Sequence, residues 1–275
     1  MIANINAHIT LKAQDVATCS RADPRIKKFF EFKIAHQDVV ILKVDKSNDI
    51  AFLPKESYHK KLKELFSDKQ KFVPMKDVSI KEQVKKYNEI LADTQEKYLS
   101  KETLKKLKPK NSFADCYGSL KLHKPSAPLR PITAAFNGLV SNAEKFLFNI
   151  FSPLVSKCQY SVDSPQTFKS KRNIEKIRYN PKIHSVVSYD IKSLFTNVNV
   201  SRVVGFLLDE VQKDPRRFFN EKENGKLLPP PSKSALRKFL MRVLTKFNIF
   251  KTQIGTFQQK GGLGMGTCLS PLLAN

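Results

Sequence analysis

The stretch Ser185-Val-Val-Ser-Tyr-Asp190-Ile-Lys-Ser-Leu-Phe195-Thr-Asn-Val198 decides how the rest of the chain is read. A short run of β-branched residues ends on one carboxylate, and a phenylalanine follows five positions later. The pattern predicts a strand over 183–189 that holds Asp190 at its C-terminal end. A carboxylate placed there is rigid, partly open to solvent, and able to bind a hard cation such as magnesium through oxygen. An aspartate that merely caps the turn after a strand is the competing reading.

Working outward, Gly262-Leu-Gly-Met-Gly266-Thr-Cys-Leu-Ser270-Pro271-Leu-Leu-Ala-Asn275 closes the sequence. Its glycines predict a loop whose backbone can approach a base or a phosphate without a Cβ in the way. Ser270-Pro271 predicts a helix start, with the hydroxyl as cap and the proline in the first turn. A glycine-rich hairpin with no ligand would read the same way. Upstream, residues 113–122 and 130–136 predict two strands joined by the proline-rich turn His123-Lys-Pro-Ser-Ala-Pro-Leu129. That hairpin carries Lys121 and Arg130, either as a pair of phosphate-binding cations or as ordinary surface charges.

Several other elements follow from pattern alone. Val39-Val-Ile-Leu42 and the run from Asp45 to Leu53 read as two strands around a polar turn. Ser79-Ile-Lys-Glu82 and Ser141-Asn-Ala-Glu144 have the form of capping boxes. The first precedes Val84, Tyr87 and Leu91 on one helical face; the second precedes Phe146, Leu147, Ile150, Phe151 and Leu154. Ser164-Pro165 predicts a cap for a basic helix over 168–177. Residues 202–213 predict a helix with Val203, Phe206, Leu207 and Val211 inward. Residues 214–232 read as a loop or insertion around Asn224-Gly225. Leu236, Phe239, Leu240, Val243, Leu244 and Phe247 form the clearest helical stripe, and plain core is its expected role. Ile249-Phe-Lys and Thr256-Phe-Gln predict a hairpin.

Composition limits the function classes. At 275 residues with 41% apolar residues and 20 phenylalanines, the chain can bury a real core. Lys+Arg number 49 against 25 Asp+Glu, a net charge of +24, which favours a polyanionic partner. Lysines cluster in His59-Lys-Lys-Leu-Lys63 and Leu104-Lys-Lys-Leu-Lys-Pro-Lys110. Each cluster alone is an exposed helix face, and their sum suggests nucleic acid. Cys19, Cys116, Cys158 and Cys268 lack metal-ligand spacing and read as reduced thiols. No apolar run approaches the roughly 20 residues of a membrane span.

Four blocks occur in one order: Tyr117-Gly-Ser-Leu-Lys-Leu-His-Lys124, Leu129-Arg-Pro-Ile132, the Asp190 block, and Gly264-Met-Gly266 with Ser270-Pro271. Together they resemble the reverse transcriptase of Penelope-like retroelements, whose palm is similar to that of telomerase. The segment with Asp45-Lys-Ser-Asn and Tyr58 also resembles that family's N-terminal part, so the likeness runs from about Val39 onward. Leu120 stands where the family carries proline. The Tyr-x-Asp-Asp block, the thumb and the family's endonuclease module have no counterpart in these residues.

The resemblance implies an α/β (α+β) chain holding an incomplete right-hand polymerase fold, with fingers, a partial palm and no thumb. It implies an unassigned segment over 1–37, a basic upstream region over 38–112, fingers over 113–182 and partial palm over 183–275. Asp190 would be the catalytic carboxylate; with the Ile191 carbonyl it would hold Mg²⁺, two ions serving the complete enzyme. Lys121 and Arg130 would bind the triphosphate of the incoming dNTP. Phe195 would lie under its sugar and exclude a 2′-hydroxyl, where RNA-dependent RNA polymerases place aspartate. Core packing is the other reading of that ring. Met265 and Gly266 would brace the new base pair. The implied partners are an RNA template and a DNA primer, with no membrane, inside the cell and in the nucleus ahead of the cytoplasm. With the last carboxylates missing, little polymerase activity is expected of these residues alone. A noncatalytic nucleic-acid-binding relic is the alternative.

Overall fold

The computed structural model describes residues 24–155, 166, 180, 182, 185, 187–191 and 193–274. Within them the protein is a mixed α/β chain built around one five-stranded sheet. Helix α1 (Pro24–Ala35) leads into β1 (Val39–Lys43) and β2 (Ile50–Pro54), the predicted antiparallel pair. After these come α2 (Lys55–Leu65), β3 (Phe72–Met75), α3 (Ile80–Gln95) and α4 (Lys101–Lys106). The predicted hairpin is β4 (Ala114–Leu120) with β5 (Leu129–Ala134), followed by α5 (Ser141–Val155). Next are the short α6 (Leu194–Asn197), α7 (Val200–Lys213) and α8 (Pro215–Phe218). A small hairpin, β6 (Lys222–Glu223) and β7 (Lys226–Leu227), precedes α9 (Lys233–Met241), β8 (Ile249–Thr252), β9 (Gly255–Gln259) and α10 (Leu269–Ala274).

The main sheet has the order β3-β9-β8-β4-β5, with only the β4–β8 pair parallel. Its strands come from three distant parts of the sequence. One face packs on α2, where Tyr58, Leu62 and Phe66 meet Cys116, Leu120, Leu129, Phe250 and Phe257. Phe66 stacks on Phe257 with centroids 4.9 Å apart and meets Phe72 edge-on at 5.0 Å. Burial also pushes the Cys116 thiol up to about 12, which leaves it an inert core group.

A second core is helical. Tyr87 and Leu91 of α3, Leu147 and Phe151 of α5, and Val204 and Leu208 of α7 surround the α9 stripe. That stripe keeps all six predicted residues buried, because its helix continues as a π-turn over Arg242–Lys246. The 214–232 segment is more ordered than a loop. Asn224 and Gly225 have φ of 49° and 77°, as a tight two-residue hairpin turn requires. Its Glu221 carboxylate accepts hydrogen bonds from Ser100 and Thr103 at the start of α4.

Five sequence expectations need correction. The described residues of 183–189 form no strand, and Tyr189 is 91% exposed. No described strand lies alongside to accept their backbone hydrogen bonds, so β-branched composition alone does not make a strand there. Phe206 points outward, 61% exposed, under the Arg202 guanidinium, while Val204 and Leu208 turn inward. Ser79 sits at the N-cap of α3 without a side-chain capping bond, and Glu82 pairs with Lys86 instead. Ser141 lies inside α5 with its hydroxyl buried and unbonded, so no capping box forms. At α10 the cap is Thr267, whose Oγ1 accepts from Ser270 N. The predicted basic helix over 168–177, its Ser164-Pro165 start, and Cys19 and Cys158 lie outside the described residues.

Candidate functional site

Strand alternation sorts the β4–β5 hairpin into two faces. Cys116, Leu120 and Leu129 face the core, so Tyr117, Ser119, Arg130 and Ile132 face away from it. Lys121 N donates to Pro128 O, which extends the register one step and puts Lys121 on the outer face with Arg130. The two candidate phosphate ligands therefore share one open surface. Burial, and then the neighbouring Arg130 charge, hold the Lys121 ammonium below the usual lysine range.

The turn after β1 is fastened to this hairpin. Val44 bridges Leu120, Asp45 N donates to Leu120 O, and Ser119 Oγ donates to Lys43 O. This brings Asp45 Oδ2 to 3.2 Å from Arg130 Nη2, with the Asp45 side chain only 9% exposed. Oδ2 makes no aligned hydrogen bond, so the contact is one of charge. Beside the pair lies a pocket of about 460 Å³ lined by Lys43, Asp45, Lys46, Tyr117, Ser119 and Ile132, among others. On the other side of the sheet, Gly118 N donates to the buried Tyr58 hydroxyl.

The glycine loop closes on the same hairpin. Strand β5 is the last of the sheet, and Thr133 N on its free edge donates to Met265 O at 2.7 Å. Leu263 N donates to Phe195 O at 2.7 Å. A Cβ at Gly266 would stand 2.1 Å from Thr133 O, and one at Gly262 would stand 2.5 Å from Phe195 O. Both residues also have positive φ, 106° and 68°. Only glycine satisfies both conditions at these positions. The loop thus ties Met265 and Gly266 to the Arg130 strand and to the short helix bearing Phe195. That ring is half-buried and packs on the helical core.

Asp190 lies four residues before the start of α6. It and Ile191 are exposed, and Asp190 makes no hydrogen bond or ion pair with another described residue. Among the described residues, no three His, Cys, Asp or Glu side chains gather closely enough to hold a metal. Asp190 and the Ile191 carbonyl are hard oxygen donors of the kind magnesium takes, and a two-ion site would need further carboxylates beside them.

Sequence reasoning singled out Lys121, Arg130, Phe195, Met265 and Gly266, which the fold links through the β4–β5 hairpin and one loop. It missed Asp45 as the partner of Arg130 and Thr133 as the anchor of the loop. The equal parity of Ser119 and Lys121 was a usable signal for the shared face, whereas nothing local pairs Asp45 with a cation 85 positions away. No helix among the described residues is long and apolar enough to cross a membrane. No protein-family model matches the sequence, and no curated protein does either.

Proposed function

We propose that this chain carries the nucleotide-binding part of an RNA-directed DNA polymerase, a reverse transcriptase of the Penelope-like class. The observation that carries the reading is the connection of Lys121, Arg130, Met265, Gly266 and Phe195 through β5 and the glycine loop. In it, Lys121 and Arg130 bind the triphosphate, as a point charge and a bidentate fork. Phe195 floors the sugar, and a ribonucleotide is rejected because its 2′-hydroxyl would lose its hydrogen bonds against the ring. Met265 and Gly266 bear on the base. Magnesium, when bound, would neutralise the phosphates; Asp190 and the Ile191 carbonyl are the oxygens this chain would offer, and further carboxylates are needed to complete the site. Template RNA and primer DNA are the partners that the +24 charge suits.

The reading is tested by calorimetric titration with a deoxynucleoside triphosphate and its ribonucleoside counterpart. It predicts binding that prefers the deoxy form, weakens in Lys121→Ala and Arg130→Ala, and loses its sugar preference in Phe195→Ala. Equal binding of both sugars by the unaltered chain would contradict it. A second reading, a noncatalytic nucleic-acid-binding module, rests on the same net charge of +24. It predicts salt-sensitive nucleic-acid binding with no affinity for free nucleotides.

A further inference from the structure

The outer face of the β1–β2 pair has an unusual composition. Register places Ile41 opposite Phe52 and Lys43 opposite Ile50, so these four side chains share one face. The alternate residues Leu42, Val40, Ala51 and Leu53 pack on the core. Phe52 is nevertheless 57% exposed and Ile50 53%. Phe32 of α1 meets Phe52 edge-on, ring centroids 5.6 Å apart, and leaves much of that ring open. Two large apolar side chains side by side on a solvent face offer an apolar surface that a ligand can cover.

Charge identifies its kind. Lys43 lies at the end of the same face and, with Lys46, lines the pocket beside Asp45 and Arg130. Neither lysine has an ion-pair partner among the described residues. An apolar protein partner would have to cover both charges without compensation. A single-stranded nucleic acid would satisfy them with phosphates while its bases stack on the ring.

We propose that the outer face of β1–β2 is a stacking platform for single-stranded RNA or DNA, with Phe52 as the base-stacking residue and Lys43 and Lys46 as phosphate contacts. The strand would pass from Phe52 across Lys43 toward Arg130. The inference rests on the polymerase reading only for that destination.

The chain has no tryptophan, so Phe52→Trp would introduce a single fluorescent reporter on the face. Titrating this variant with a twelve-nucleotide single strand should quench its emission, and an abasic strand of equal length should not. Phe52→Ala should weaken binding of the ordinary strand by about tenfold, the range expected for one stacked base. Its affinity for deoxynucleoside triphosphates should be unchanged, which separates this test from that of the nucleotide site. The proposal is overturned if a saturating strand leaves the emission unaltered or the abasic strand quenches it equally. It also fails if acrylamide cannot reach the tryptophan in the free protein, or if emission shifts with protein concentration alone.

Discussion

Asp45 Oδ2 lies 3.2 Å from Arg130 Nη2, so the turn after the first strand contributes the counter-charge for the hairpin that carries both candidate phosphate ligands. Lys121 and Arg130 repel one another on one face, and Asp45 offsets that repulsion. A bound triphosphate would meet the same carboxylate as a competitor for Arg130.

Replacing that charge should therefore favour anions. Asp45→Asn is expected to tighten inorganic triphosphate binding roughly three- to tenfold, a range that allows for screening of the partly exposed guanidinium. Arg130→Ala should weaken it by a similar factor. Calorimetry at low salt measures both, and equal affinities across the three proteins would show that the pair does not touch the anion site.

The glycine loop gives a stability prediction with an internal control. Gly266→Ala and Gly262→Ala each force a Cβ against backbone at positive φ, and each should lower unfolding free energy by about 1–3 kcal/mol. Gly261→Ala meets nothing within 4 Å and has no positive φ, so its urea midpoint should hardly move. A Gly266→Ala protein as stable as the Gly261→Ala protein would mean that the loop does not sit on Thr133.

Tyr58→Phe removes the hydroxyl that accepts from Gly118 N. Burial pushes that phenol up to about 12, so it stays a neutral hydrogen-bonding group at ordinary pH. Leaving a buried N–H without its partner should cost about 1–3 kcal/mol by chemical denaturation. An unchanged midpoint would contradict the packing of α2 under the hairpin.

Glu144 makes stability depend on pH. Burial raises its carboxyl from 4.5 to about 8. Between those values the folded protein keeps a proton that the unfolded chain has already released. The unfolded state then binds fewer protons, and stability falls as pH rises through that window. Tm should therefore drop from about pH 5 to about pH 8, and Glu144→Gln should remove this component of the slope. An identical slope in the variant would place the titration elsewhere.

Local patterns were legible, and pairings between distant segments were not. The α9 stripe could be read because six apolar residues at helical spacing need only a core to face. The β4–β5 hairpin could be read because its turn chemistry sits between two alternating runs. The described residues of 183–189 form no strand because a strand requires a neighbour, and no local feature of sequence shows whether one is there. Phe206 misled because either of two adjacent helix faces could be apolar, and Arg202 covers the outer one. Of the site itself, glycine spacing announced a close approach, but Thr133 and Phe195 as the approached groups became visible only in the fold.

The most direct test of a single nucleotide site is photocrosslinking with an azido-substituted deoxynucleoside triphosphate, followed by peptide mapping. Adducts are predicted within 262–266 or on the segment around Phe195, and the Lys121→Ala/Arg130→Ala double variant should suppress them. Adducts confined to other segments, or labelling undiminished in the double variant, would contradict the assignment.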